Sequence, residues 1–232
     1  MKGAASAAPF FFLLSPMPER APASLSHLVD ALLVAADDAL RALSGAATAA
    51  RPSPRTGDDG PASPEDRVVS GRLMRVNHTG EVCAQALYSG QALVAREPEV
   101  RTALQRAASE ERDHLAWCRD RLGQLGARAS VLDPLWYAGS FGMGVVSGLA
   151  GDRWSLGFLA ETEDQVERHL EGHLDRLAAD DRASRAILAQ MRDDEGRHGA
   201  AGRALGGAEL PAPVKAAMRM ASRVMTGTAY WV

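Results

Sequence analysis

The pattern Glu-x-x-His occurs twice in this chain, as Glu111-Arg112-Asp113-His114 and as Glu195-Gly196-Arg197-His198. In an α-helix successive residues turn by about 100°, so positions i and i+3 point within about 60° of each other. A carboxylate and an imidazole at that spacing can reach one metal ion from one face. Each pair also interrupts an apolar stripe. Leu104, Ala107, Leu115, Cys118, Leu122 and Leu125 share the face of the first pair, and Leu188, Met191, Gly202 and Leu205 that of the second. Charged groups on a buried stripe are costly unless they are paired or bound to a cation, so each pair demands a partner.

Two further carboxylates meet that demand. Glu81 aligns with Met74, Ala84, Gln85, Tyr88 and Ala92, and Glu163 with Leu159, Val166, Leu170, Leu174 and Leu177. The interval from Glu81 to Glu111 is 30 residues and that from Glu163 to Glu195 is 32. The chain thus reads as two similar helical hairpins, each giving one Glu and one Glu-x-x-His, which is the recipe for a dinuclear site inside a four-helix bundle. The expected ligands are Glu81, Glu111, His114, Glu163, Glu195 and His198. Four carboxylates and two neutral imidazoles suit iron or manganese better than zinc held by thiolates, and iron is the first choice.

The rest of the chain fits an all-α, ferritin-like four-helix bundle with additional short apolar helices. Periodicity and breaks predict helices at 66–95, 98–125, 134–150, 153–179, 182–205 and 212–229, and strand signals are almost absent. With 232 residues, 46% of them apolar, one catalytic domain over 66–232 is the economical reading. Residues 1–65 read as a leader, a short helix and a linker. Residues 1–24 are rich in proline and alanine. The short run Phe10 to Leu14 is hemmed in by Pro9 and Pro16, unlike a secretion signal. Ser26 is placed to cap a helix with Leu28, Leu32, Ala35 or Ala36, Ala39 and Leu43 on one face. Ala46 to Pro64 has the Pro-, Ser- and Gly-rich composition of a linker.

A net charge of −3 supplies no basic field, so nucleic acid is not an expected partner. Cys83 and Cys118 lack metal spacing and suit a reducing compartment. Between Asp133 and Asp152 no charged residue occurs over 18 positions, five of them glycine. Trp136, Tyr137 and Trp154 flank this stretch. It can be a buried helix, a helix lying in one leaflet, or a minimal span. In the last helix Lys215, Arg219 and Arg223 form a basic stripe, with Val214, Ala217, Ala221 and Val224 expected to face inward.

The run Arg75-Val76-Asn77-His78-Thr79-Gly80-Glu81-Val82-Cys83-Ala84-Gln85-Ala86, with Leu87 to Gln91 after it, resembles the first-helix signature of the demethoxyubiquinone hydroxylases, ferritin-like di-iron carboxylate proteins of ubiquinone biosynthesis. Glu110 to Leu115, Leu132 to Trp136, Glu161 to Val166, and Arg192 to Glu195 with His198 are similar to later blocks of that family, in family order. The resemblance covers about residues 66–232. It implies a di-iron monooxygenase that hydroxylates the ring of demethoxyubiquinone with dioxygen, with electrons from NADH. The same six side chains would be ligands, with Glu111 and Glu195 as bridges. A prenylated benzoquinone, the membrane surface, a ubiquinone-biosynthesis complex and a second copy of the chain are the implied partners, at the cytoplasmic face of a bacterial cell membrane. A leaflet-seated 134–151 segment agrees with a lipid-dissolved substrate. No Gly-x-Gly-x-x-Gly fingerprint accompanies the chain, so a Rossmann domain is not expected. Some members carry tyrosine after the counterpart of His169; Leu170 stands here, and a route through that tyrosine is not expected.

Around the six, His169 lies roughly 120° from Glu163 by the same ~100° steps and reads as an outer or redox-route residue, not a ligand. His173 reads as a partly buried histidine with a satisfied partner. Tyr88 reads as core. Asp113 and Asp194 read equally well as carboxylates that orient metal-bound imidazoles and as parts of solvated helix faces. Cys118 reads as a small buried hydrophobe. The competing reading of the same six residues is an iron-storage or peroxide-handling bundle of ferritin, rubrerythrin or manganese-catalase type, which has no need of the apolar 134–151 segment. A helical scaffold without chemistry leaves six inward polar side chains unexplained.

Overall fold

The computed structural model describes residues 25–232 apart from residues 56, 58, 59 and 62. The expected leader over 1–24 lies outside the described residues. Among the described residues seven helices follow in order: α1 (Leu25–Ser44), α2 (Pro64–Val94), α3 (Pro98–Leu125), α4 (Asp133–Leu149), α5 (Asp152–Arg176), α6 (Arg182–Ala204) and α7 (Ala212–Ala229). No strand occurs among the described residues. The fold is all-α, as a bundle of long amphipathic helices requires.

Helix ends follow from local chemistry. Ser63 caps α2 by accepting from the Asp66 amide at 3.0 Å, and Pro64 then opens the helix, where its missing N–H costs nothing. Gly126, at φ 70°, stops α3 in the left-handed conformation that glycine adopts without strain. Asp181 caps α6 through the Ser184 amide. The same Asp181 receives the wholly buried Arg121 guanidinium of α3 at 2.7 Å, so that one carboxylate ends a loop and ties two helices.

The bundle is made of the hairpins α2–α3 and α5–α6, joined by α4, which crosses over and lies on α2. Two apolar clusters stack along its axis. One gathers Leu73, Trp117, Leu122, Leu170, Ile187 and Met191; the other gathers Tyr88, Leu104, Leu156 and Leu159. Glu81, Glu111 and Glu163 fall in sequence between the contributions of their helices to the two clusters, and Glu195 lies one turn beyond the residues that α6 gives to the first. The apolar layers therefore fix the height at which the carboxylates meet.

Several expectations change. The helix expected to reach 179 ends at Arg176, because Leu177 turns extended (φ −71°, ψ 136°) and buries its side chain. Ser26 is the second residue of α1 and not its cap. On α1 the docked face runs through Ala35, Asp38, Ala39 and Ala42, whereas Leu32 and Leu43 of the expected stripe are exposed. The contact is anchored by Asp38, which receives Arg112 at 2.9 Å. On α7, Val214, Ala217 and Val224 are exposed, Ala221 sits at a pocket rim, and Met218, Ser222 and Met225 face inward instead. Lys215 is not part of a free basic stripe, since it pairs with Glu161 at 3.2 Å and with Glu209. Leu205 lies just past α6 and is exposed. Among the described residues no helix is long and apolar enough to cross a membrane, which removes the spanning reading of α4.

Candidate metal centre

All six expected side chains converge, one from α2, two from α3, one from α5 and two from α6. Their ligating atoms form two groups, Glu81, Glu111, His114 and Glu195 in one, and Glu111, Glu163, Glu195 and His198 in the other. Within each group the atoms lie within 4.8 Å of one another, close enough to hold a metal ion. Glu111 and Glu195 belong to both. The Nδ1 atom of His114 stands 3.0 Å from Glu111, 3.2 Å from Glu195 and 3.5 Å from Glu81. That of His198 stands 3.3 Å from Glu111, 3.3 Å from Glu195 and 3.5 Å from Glu163.

The outer nitrogens are held in turn. His114 Nε2 meets Asp194 Oδ2 at 2.9 Å, and His198 Nε2 meets Glu110 Oε2 at 3.1 Å. A ligating imidazole that donates its outer N–H leaves the inner nitrogen free for a metal. Each outer carboxylate directly precedes the glutamate of the opposite Glu-x-x-His, so the arrangement repeats across the two hairpins. Asp194 takes the orienting role. Asp113 does not: it accepts from the Ala50 amide and from Arg51, and holds the segment before α2. Glu110 was missed, although its place one residue before Glu111 matches that of Asp194 before Glu195. Tyr88 is more than core, since its hydroxyl donates to Glu163 Oε1 at 2.5 Å. Cys118 keeps its apolar reading, with its sulfur 3.7 Å from that of Met191 and its thiol pushed up by burial.

The electrostatics favour cations. Burial, with the neighbouring carboxylates, drives the Glu81 and Glu163 carboxyl groups well above their usual range. Burial would lower His114 and His198, but Glu111 and its neighbours hold both imidazoles well above it. Glu111 itself is held low by the two histidines despite its burial. Glu111 Oε1 and Glu195 Oε1, both buried, accept no hydrogen bond. A donor set of this kind, anionic, dry and partly unsatisfied, fits divalent ions. The two imidazoles, held well above their ordinary range, carry protons near neutrality and must shed them to ligate, so metal uptake should release protons and affinity should rise with pH through neutrality. Titrating Co(II) into weakly buffered protein with a pH indicator measures this; uptake without acidification would contradict it.

His169 stands apart from the six, its ring tilted by 58° against that of His173 with centroids 3.9 Å apart. His173 has the satisfied partner expected, with Nδ1 2.8 Å from Asn77 Oδ1, and burial beside His169 pulls it down to about 2.

Comparison with known proteins agrees with this geometry. Residues 69–229 match the family described as ubiquinone biosynthesis protein COQ7. The chain is 58% identical over 205 residues to a 3-demethoxyubiquinol 3-hydroxylase of Cupriavidus metallidurans, covering 87% of this chain and 99% of that protein. It is 56% identical over 215 residues to the protein of that name from Ralstonia pickettii (88% and 99% covered). It is 60% identical over 197 residues to that from Cupriavidus pinatubonensis (84% and 95% covered). With the matched region containing all six convergent side chains, the chain belongs to the COQ7 family of ubiquinone biosynthesis proteins.

Proposed function

We propose that this protein is a di-iron monooxygenase that hydroxylates the ring of demethoxyubiquinol with dioxygen, electrons deriving from NADH. Glu81, Glu111, His114, Glu163, Glu195 and His198 hold the irons, with Glu111 and Glu195 shared. When bound, such a pair of irons activates dioxygen for insertion into a ring C–H bond. The observation that carries the reading is a largely apolar cavity of about 270 Å³ between α2, α4, α5 and α7, whose wall includes Glu81 itself. A ring entering it reaches the centre, while Leu87, Phe158, Leu170 and Met218 exclude water around it.

Polar groups in the same wall suit a quinol or quinone head. Asn77 Nδ2 and His169 Nε2 are buried without a hydrogen-bond partner, and both residues line the cavity. Burial and the Arg176 charge pull His169 down to about 4, so its ring is neutral near pH 7 and offers one donor and one acceptor. Both α4 and α7 flank the cavity and leave Leu135, Met143, Val146, Leu149, Met220 and Val224 exposed. A lipid-dissolved prenyl chain would enter between such helices if they rest in one leaflet of the cytoplasmic membrane face. Two free cysteines suit that compartment. A storage or peroxide-handling bundle has no use for an apolar cavity ending on a ligand.

Iron analysis of the purified chain, joined to quinone profiling of a strain lacking it, tests the reading. Two irons per chain and accumulated demethoxyubiquinone, cleared when the gene is restored, are expected. Normal ubiquinone in the deletion would overturn it.

A further inference from the structure

The segment before α2 carries a side chain that enters the metal centre's supporting shell. Arg51 Nε donates to Asp113 Oδ2 at 2.6 Å and Arg51 Nη1 to Asp194 Oδ2 at 2.8 Å, partners 62 and 143 residues away. Asp113 Oδ1 also accepts the Ala50 amide at 2.6 Å, and Trp117 Nε1 donates to the Arg51 carbonyl at 3.3 Å. The guanidinium stacks on the Trp117 ring at 5.0 Å, and that ring lies 5.4 Å from the His114 ring. The Asp194 oxygen bonded to Arg51 is the one that receives His114 Nε2. Its other oxygen is held by Gln190 and Arg197. Asp194 therefore cannot swing, and neither can the imidazole it orients.

Among the described residues the second half of the centre has no such clamp. Glu110, the counterpart of Asp194, is partly exposed, and the second cation paired with it is the exposed Arg106, 3.3 Å away. A cavity of about 620 Å³ also opens beside Glu110 and His198. Equivalent ligand sets thus sit in unequal supports. The family match begins only at residue 69, after this segment.

We propose that Arg51 is a positioning residue for the His114 half of the centre, and that it makes the two metal positions unequal in affinity. A fork of donors that bridges two carboxylates is what arginine supplies and lysine does not. The inference rests on the two-metal reading above. Anaerobic calorimetric titration of the full-length apo protein with Co(II) tests both separately. Wild type should bind in two steps, the tighter lost in Glu81→Ala and the weaker in Glu163→Ala. Arg51→Ala should weaken the tighter step by roughly 10-fold or more and leave the other unchanged, the scale seen when a ligand's outer partner is removed. Arg51→Lys should recover part of that loss, and Asp113→Asn, which frees the guanidinium from the other side, should reproduce it. Helical circular dichroism guards against misfolding. Unchanged steps in a folded Arg51→Ala, or equal weakening of both, would overturn the assignment. A wild type that takes up no Co(II) would overturn the two-metal reading itself.

Discussion

Glu111→Ala is expected to empty both halves of the centre at once and to lower hydroxylation by more than about 10²-fold, beyond what loss of an outer partner costs. The reason is geometric. Glu111 Oε2 faces His114 at 3.0 Å while its Oε1 faces His198 at 3.3 Å, so one side chain belongs to both candidate metal positions. Glu81 and Glu163 each belong to a single group, and Glu81→Ala or Glu163→Ala should leave one ion per chain. Iron content per folded chain reads the difference directly. The fold should survive, because Leu104 and Leu122 on the same helix stay buried in the apolar layers on either side. Glu111→Ala retaining one full equivalent of iron would show that the shared carboxylate is not shared.

The six convergent residues were legible because each constraint on them is local. Helical period places Glu and His of one motif on one face, and burial of the surrounding stripe decides that the face turns inward. The four bundle helices are long and strongly amphipathic, and their ends carry proline, glycine or a capping side chain. At the periphery the same reasoning loses its grip. The apolar residues of α7 spread around the helix, Ala217 and Val224 standing about 100° from Met218 and Met225 by ~100° steps, so period does not say which of them docks. On α1 the larger side chains Leu32 and Leu43 stay exposed while the small Ala35, Ala39 and Ala42 admit close approach, with the Asp38–Arg112 pair fixing the contact. Arg51 was not legible at all. It stands in a segment without period, and its partners lie on two different helices. The hydroxyl of Tyr88 was hidden for a related reason, since a tyrosine on an apolar stripe reads as packing until the opposing Glu163 is seen across the bundle.

The glycines of α4 link fold to function, and Gly144→Val should show it. A Cβ at Gly144 would run into the Leu87 carbonyl of α2, and one at Gly90 into the Phe141 carbonyl of α4, so the two helices touch backbone to backbone. Main-chain atoms inside two helices cannot step aside as a flexible side chain can. The helices must separate, a kind of overpacking that costs about 1–3 kcal/mol or more. In a chain of this size that corresponds to a melting temperature lower by about 2–4 °C for each kcal/mol. The wall that moves bears Trp136, Gly139, Ser140 and Met143 of the apolar cavity but none of the six metal-facing side chains. KM for the quinol should therefore rise while metal content stays that of wild type. Gly142 provides the contrast, since a Cβ there meets nothing within 4 Å. Gly142→Ala should raise stability by up to about 1 kcal/mol through helix propensity alone and leave KM unchanged. Were Gly144→Val to lose metal before it loses substrate affinity, α4 would be holding the centre together and not merely walling the path to it.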